Sequence, residues 1–150
     1  MTTVTDWTQL RELAVQRRDA CAQRLAEAVR RVADARRKLD LLHEYRREYA
    51  QRMGAASRSG IHGDGLRNYR TFIANLERAI EQQIQEVAGL ERERERAQTA
   101  WVAEQRTVQS YEVLQARQAS TATRRARRSE QKHQDELATR PLPRFLSGAD

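Results

Sequence analysis

Hydrophobic residues recur at alternating intervals of three and four over two long stretches of this chain, with a cluster of glycines between them. In the first stretch, a heptad frame with Val4, Arg11, Arg18, Leu25, Val32, Leu39, Arg46 and Met53 at a makes every d position apolar: Trp7, Ala14, Cys21, Ala28, Ala35, Leu42, Tyr49 and Ala56. In the second, Leu66, Ile73, Ile80, Val87, Arg94, Trp101, Val108, Gln115 and Ala122 fall at a. Tyr69, Leu76, Gln83, Leu90, Ala97, Glu104, Tyr111 and Gln118 fall at d. A narrow apolar seam sustained over seven heptads is the pattern of a coiled coil; a helix lying on a globular core carries a wider stripe and ends sooner.

The chain turns where helix is hardest to maintain. Gly54, Gly60, Gly63 and Gly65 fall within twelve residues, and the next strong breakers are Pro141 and Pro143. These boundaries predict a helix over about residues 6–53, a glycine-rich turn over 54–65, a helix over about 66–139 and a disordered tail over 141–150. Gly89 alone interrupts the second stretch, at a cost of about 1 kcal/mol. The predicted fold is therefore all-α: a long antiparallel two-helix coiled-coil hairpin with a longer second helix. A parallel homodimer of the same arms is the alternative.

Antiparallel packing sets a against d, and one register gives layers that match in size and charge, with facing residue numbers adding to 122. It opposes Leu25 to Ala97, Ala14 to Val108, Cys21 to Trp101, Leu42 to Ile80, Tyr49 to Ile73 and Arg18 to Glu104, and sets Arg11 on the ring of Tyr111. Ala28 opposite Arg94 is its weak layer. Position 4 then faces position 118, and residues from Ala119 to about Thr139 project past the terminal end of the hairpin as a single helix.

Composition suits that shape. The 150 residues are 33% charged and only 5% aromatic, with a formal charge of +7. The mean hydropathy of −0.91 leaves too little apolar surface for a spherical interior but enough for a seam. No run of 18 apolar residues and no secretory leader pattern is present, so membrane insertion is not expected and a cytoplasmic location is. Part of the positive charge falls on the projecting helix and its flanks: from Ala116 to Arg140, Arg117, Arg124, Arg125, Arg127, Arg128, Lys132 and Arg140 outnumber Glu130, Asp135 and Glu136. A solvated face is the plain reading of that run; a surface completed by an acidic protein groove is the functional one.

Enzymatic chemistry finds no foothold in the pattern. There is no phosphate-binding glycine loop, no HExxH, and no metal-ligand spacing among His43, His62, His133 and Cys21, so no catalytic residue, cofactor or metal is expected. Cys21 at d reads as a small buried hydrophobe. A pI near 10.4 raises nucleic acid as a partner. However, the basic run follows the heptads instead of preceding them as in a basic zipper, and most arginines alternate with glutamates, as in Glu91-Arg-Glu-Arg-Glu-Arg96. Nucleic acid is not an expected partner.

Near the turn, the aromatic residues exceed what a seam requires. Tyr49, Tyr69 and Leu76 occupy seam positions, but Tyr45 and Phe72 do not, and beside a slender two-helix rod their rings should stand exposed with Ala79 leaving room next to them. They either pack over the flank of the seam or anchor another protein.

These residues sit in recognisable company: His43-Glu-Tyr-Arg-Arg-Glu-Tyr49, Asn68-Tyr-Arg-Thr-Phe-Ile73, Leu76-Glu-Arg-Ala-Ile-Glu-Gln82, Leu114-Gln-Ala-Arg-Gln118 and Gln131-Lys-His-Gln-Asp-Glu136. In this order they resemble the FliJ family of the bacterial flagellar type III export apparatus, from the first arm to about Arg140. The resemblance implies a non-enzymatic antiparallel stalk, monomeric in isolation, which binds the hexameric flagellar export ATPase, the cytoplasmic domain of the membrane export gate, and export chaperones, peripherally at the inner membrane of the flagellar basal body. It implies a gate-facing patch at Leu42, Tyr45, Tyr49, Phe72, Leu76, Ala79 and Gln83. By analogy with rotary stalks, it implies an ATPase-facing end at Arg124, Arg125, Arg127, Arg128, Gln131 and Lys132. The related stalk of an injectisome and a structural coiled-coil scaffold are the competing readings.

Overall fold

The computed structural model describes residues 6–60 and 63–141. Two helices account for nearly all of them: α1, Trp7–Arg58, and α2, Asp64–Thr139. They pack against each other along α1 as a hairpin, and α2 is the longer. At about 1.5 Å per residue, α1 spans roughly 80 Å and α2 roughly 110 Å. The seam residue Val4, the turn residues Ile61 and His62, and residues 142–150 of the expected tail lie outside the described residues.

Each helix end has a local cause. Asp6 caps α1, its Oδ1 accepting from the Thr8 N–H at 3.0 Å and so satisfying one of the free amides of the first turn. At the other end, the Ser59 N–H donates to the Ala56 carbonyl, and Gly60 follows with φ of 94°, a left-handed conformation that costs glycine little. Gly63, with φ of 46°, starts the return, and Asp64 places a carboxylate in the first turn of α2, where the helix dipole favours it.

The turn is tighter than the glycine content implies. α1 does not stop at Met53 but continues through Gly54 to Arg58, and α2 begins two residues before Leu66. Ala55 and Ala56 are strong helix formers that offset the cost of Gly54. Among the described residues, positive φ is confined to Gly60 and Gly63.

Burial follows the heptads. Every described a and d position of α1 is buried or half-buried, and the same holds in α2 from Tyr69 to Gln118. The core proper is Ala14, Cys21, Val32, Ala35, Leu76, Ile80, Val87 and Val108, with Val32 and Val108 each 1% exposed. At the tip, Leu66 departs from its seam role and is 43% exposed. Its counterpart in the register is Ala56, too short to cover it.

Specific contacts fix the register. Arg11 meets Glu112 at 3.0 Å, Arg18 Nη1 donates to Gln105 Oε1 at 3.2 Å, and Gln115 Nε2 donates to Thr8 Oγ1 at 3.1 Å. Gln83 Nε2 donates to the Ala35 carbonyl at 2.9 Å, Arg36 pairs with Glu91, and Trp7 packs on Tyr111 with ring centroids 6.0 Å apart. Facing numbers in these contacts add to between 118 and 127, so the layers fall about the register in which they add to 122. Two seam arginines differ from expectation in their partners. Arg18 reaches Gln105 and Asp19 instead of Glu104, and Arg11 takes Glu112 while Trp7 occupies the Tyr111 ring. A long arginine stem lies along the seam and carries its charge out to the rim, where solvated partners are available.

Gly89 is half-buried in mid-helix, and a Cβ built there would meet only Arg92 Nη2, at 3.7 Å, an ordinary contact. Gly89→Ala is therefore expected to stabilise the rod by about 1 kcal/mol. A thermal melt followed by circular dichroism reads this as a rise in Tm.

Candidate protein-docking surfaces

Three surface features emerge from this frame. The first is an aromatic edge near the tip. Tyr45 and Phe72 lie just outside the seam and are 51% and 43% exposed. The Phe72 ring packs at 4.2 Å from Tyr49, which also stacks on Tyr69 at 5.5 Å with the planes 15° apart. Tyr45 precedes Tyr49 by one helical turn, so one edge of the rod carries a ledge of rings whose backs rest on the seam and whose faces meet solvent.

The other residues of the expected gate-facing patch occupy a gradient of burial. Leu42, Tyr49 and Ala79 are half-buried beside the two rings, whereas Leu76 is buried in the seam with 8% exposure. Gln83 is half-buried, and its amide is engaged by the Ala35 carbonyl across the seam. Tyr45 and Phe72 thus supply the accessible area, Leu42, Tyr49 and Ala79 its floor, and Leu76 and Gln83 support from below.

The second feature is the terminal overhang. Gln118 is the last half-buried position of α2, and every residue from Ala119 to Pro141 is exposed. Thr139 closes the helix with its Oγ1 donating back to the Asp135 carbonyl at 2.9 Å. About 30 Å of single helix therefore extends beyond the hairpin. Its heptad continuation is polar or minimal, with Ala122, Ser129 and Glu136 at a and Arg125, Lys132 and Thr139 at d, so it has no seam of its own to zip against a second copy. Arg124, Arg125, Arg127, Arg128, Gln131 and Lys132 all lie on it, exposed.

Charge is distributed unevenly along the rod. Over residues 25–49 and the facing 73–97, eleven basic and eleven acidic side chains cancel. The excess gathers at the ends: residues 119–140 carry six basic against three acidic groups, and residues 50–72 carry Arg52, Arg58, Arg67 and Arg70 against Asp64 alone. The central stretch holds the ion pairs Arg31–Glu27, Arg37–Asp34 and Arg36–Glu91. These are exposed and worth at most about 1 kcal/mol each.

Sequence reasoning missed the third feature, an apolar groove at the tip lined by Ala50, Met53, Gly54, Ser57, Leu66 and Tyr69. Its signal was present in the spacing of the small residues Ala50, Gly54 and Ser57, which lie one turn apart on one face of α1. Among the described residues, no cluster of three metal-ligating side chains forms, and Cys21 is buried in the seam.

The two end surfaces and the heptads between them lie within a single family match: the model described as "Flagellar FliJ protein" aligns with residues 6–144. The chain belongs to the flagellar FliJ family. It is 31% identical over 135 residues to the flagellar FliJ protein of Salmonella typhi and 30% identical over 135 residues to that of Escherichia coli strain K12. In both comparisons 90% of this chain and 92% of the relative are covered. FliJ proteins are helical coiled-coil components of flagellar export and generally non-catalytic. The FliJ match includes the overhang and the tip as well as the seam, so both ends of the rod are family territory.

Proposed function

We propose that this FliJ-family chain is the non-enzymatic stalk and adaptor of the bacterial flagellar protein export apparatus. Its overhanging helix enters the hexameric export ATPase, and its aromatic edge engages the cytoplasmic domain of the membrane export gate. Export chaperones are further partners. The observation that carries this reading is the overhang: α2, at 76 residues, outruns the 52 of α1 and leaves a bare, basic helix from Ala119 onward with no partner among the described residues. Over that stretch the helix lacks the tertiary packing from which most helices in proteins draw their stability.

The mechanism follows from symmetry. One helix in a six-fold ring cannot contact all subunits alike, so it favours particular nucleotide states in particular subunits. By binding the ring better than the separated subunits, it also drives assembly. Hydrolysis belongs to the partner, and the chain itself uses no cofactor. The seam is satisfied within one molecule, which suits a monomer in isolation. Among the described residues no helix is long and apolar enough to cross a membrane. In keeping with the export-stalk reading, the proposed location is cytoplasmic and peripheral, at the inner membrane beneath the flagellar base.

Adding the purified chain to its cognate ATPase is expected to raise both the hexamer fraction and the turnover rate. Unchanged assembly and turnover would remove the basis of the stalk reading. For the gate, Tyr45→Ala with Phe72→Ala should weaken binding tenfold or more by calorimetry, since exposed aromatic anchors typically carry 1–2 kcal/mol or more each. The melting curve should move little, because both rings lie outside the seam. Undiminished gate affinity in the double variant would count against the patch.

A further inference from the structure

The tip groove has a volume of about 320 Å³. Ala50 and Ser57 occupy e positions, while Tyr45, Phe72 and Ala79 occupy g positions of their helices; in an antiparallel pair e faces e and g faces g. The groove therefore opens on the edge opposite the aromatic ledge. Met53 and Tyr69 are half-buried in its floor, and Leu66 forms an exposed wall. Arg58, Arg67 and Arg70, all exposed, directly follow the lining residues Ser57, Leu66 and Tyr69 in the chain, and Asp64 is the sole acidic residue between positions 50 and 72.

We propose that this groove is a second docking site, for an acidic segment of a partner protein that inserts a large apolar side chain between Leu66 and the small-residue face of α1 while its carboxylates meet the tip arginines. The site is independent of the gate reading, since none of its lining residues is Tyr45 or Phe72. Other occupants fit less well. Residues 141–150 could span at most about 35 Å, whereas α2 carries residue 141 roughly 110 Å from the tip. A second copy would bring its tip or its overhang, each with an excess of three positive charges, against a tip of the same sign, or a central stretch with no net negative charge to meet the arginines. A lipid surface would gain little, because Met53 and Tyr69 face the groove and only Leu66 projects for insertion. An acidic protein segment satisfies both the apolar floor and the arginine rim, and its binding should weaken with salt.

Gly54 offers a clean way to close the site. A Cβ there meets nothing within 4 Å, and the residue is helical, so Gly54→Leu fills the groove without straining the backbone. The full chain, isotope-labelled on amides and methyl groups, would be titrated by NMR with a synthetic amphipathic helical peptide bearing leucines on one face and glutamates elsewhere. Shifts are expected to be confined to residues 50–57 and 66–70. Affinity should fall tenfold or more in Gly54→Leu, and severalfold in Arg67→Glu with Arg70→Glu, while Tyr45→Ala with Phe72→Ala leaves it unchanged. The proposal is overturned if millimolar peptide leaves the tip resonances unmoved, or if a version with lysines in place of glutamates binds equally well. It is also overturned if Gly54→Leu binds like the natural chain, or if vesicles containing phosphatidylglycerol produce the same shifts at the tip.

Discussion

Val108→Asp is expected to open the terminal half of the rod while leaving the tip half helical. Val108 is 1% exposed, and its layer is bracketed by Arg11–Glu112 on one side and Arg18–Gln105 on the other, which sets it against Ala14, itself 3% exposed. Losing the buried valine costs about 1.5–3 kcal/mol, and a carboxylate with no partner in that layer adds several more, whether it stays charged or takes up a proton. The total, about 4–5 kcal/mol or more, is a large share of the stability of any small domain. Damage should remain local because each layer of a two-helix rod touches only its neighbours, much as in a repeat array. Amide exchange would therefore lose protection over residues 7–25 and 97–118 and retain it around Val32, Ile80 and Val87. Val113→Asp is the control: the same exchange on the same helix at a site 50% exposed should move the Tm by little. Equal damage from both variants would mean that the seam is not what holds the arms together.

Why the rod was legible in its sequence, and where legibility stopped, can be traced to particular residues. Heptad position alone identified the buried face from Ala14 to Val108, because a two-helix seam offers each side chain only two states, inside or outside, and period 3.5 decides between them. The turn was harder to place. Gly54 and Gly60 look alike in the sequence, but only Gly60 adopts a left-handed conformation, and Gly54 is carried along by the alanines that follow it. Partner choice at the rim was harder still. Arg18 lies within a residue of both 104 and 105 in the register and takes Gln105, a choice between rim partners of the kind that is worth only about 1 kcal/mol or less. The exposure of Tyr45 and Phe72 followed from the narrowness of the rod. The groove under Leu66 did not, since it depends on what is missing from Ala50, Gly54 and Ser57 more than on what is present.

Reversing four charges on the overhang should separate the two ends of the molecule functionally. Arg124→Glu, Arg125→Glu, Arg127→Glu and Arg128→Glu together remove eight units, taking the formal charge from +7 to about −1 and turning the basic end acidic. Glutamate and arginine have nearly equal helix propensity, and all four positions are exposed beyond the last contact with α1, so neither helicity nor the melting of the seam should change appreciably. The loss should appear in association. Each arginine that meets a carboxylate at a partly dried interface contributes about 1 kcal/mol, and its reversal replaces attraction with repulsion, so binding to the export ATPase should weaken at least a hundredfold. Four lysines in the same places would keep the charge but lose the bidentate geometry, and an intermediate affinity is expected. Gate binding should be untouched, because Phe72 and Arg124 are separated by about 78 Å of continuous helix, many screening lengths at physiological salt. If the reversed chain still assembles the ATPase as the natural one does, the arginines are a solvated face. The grip on the ring must then come from the alanines and Leu137 on the same helix.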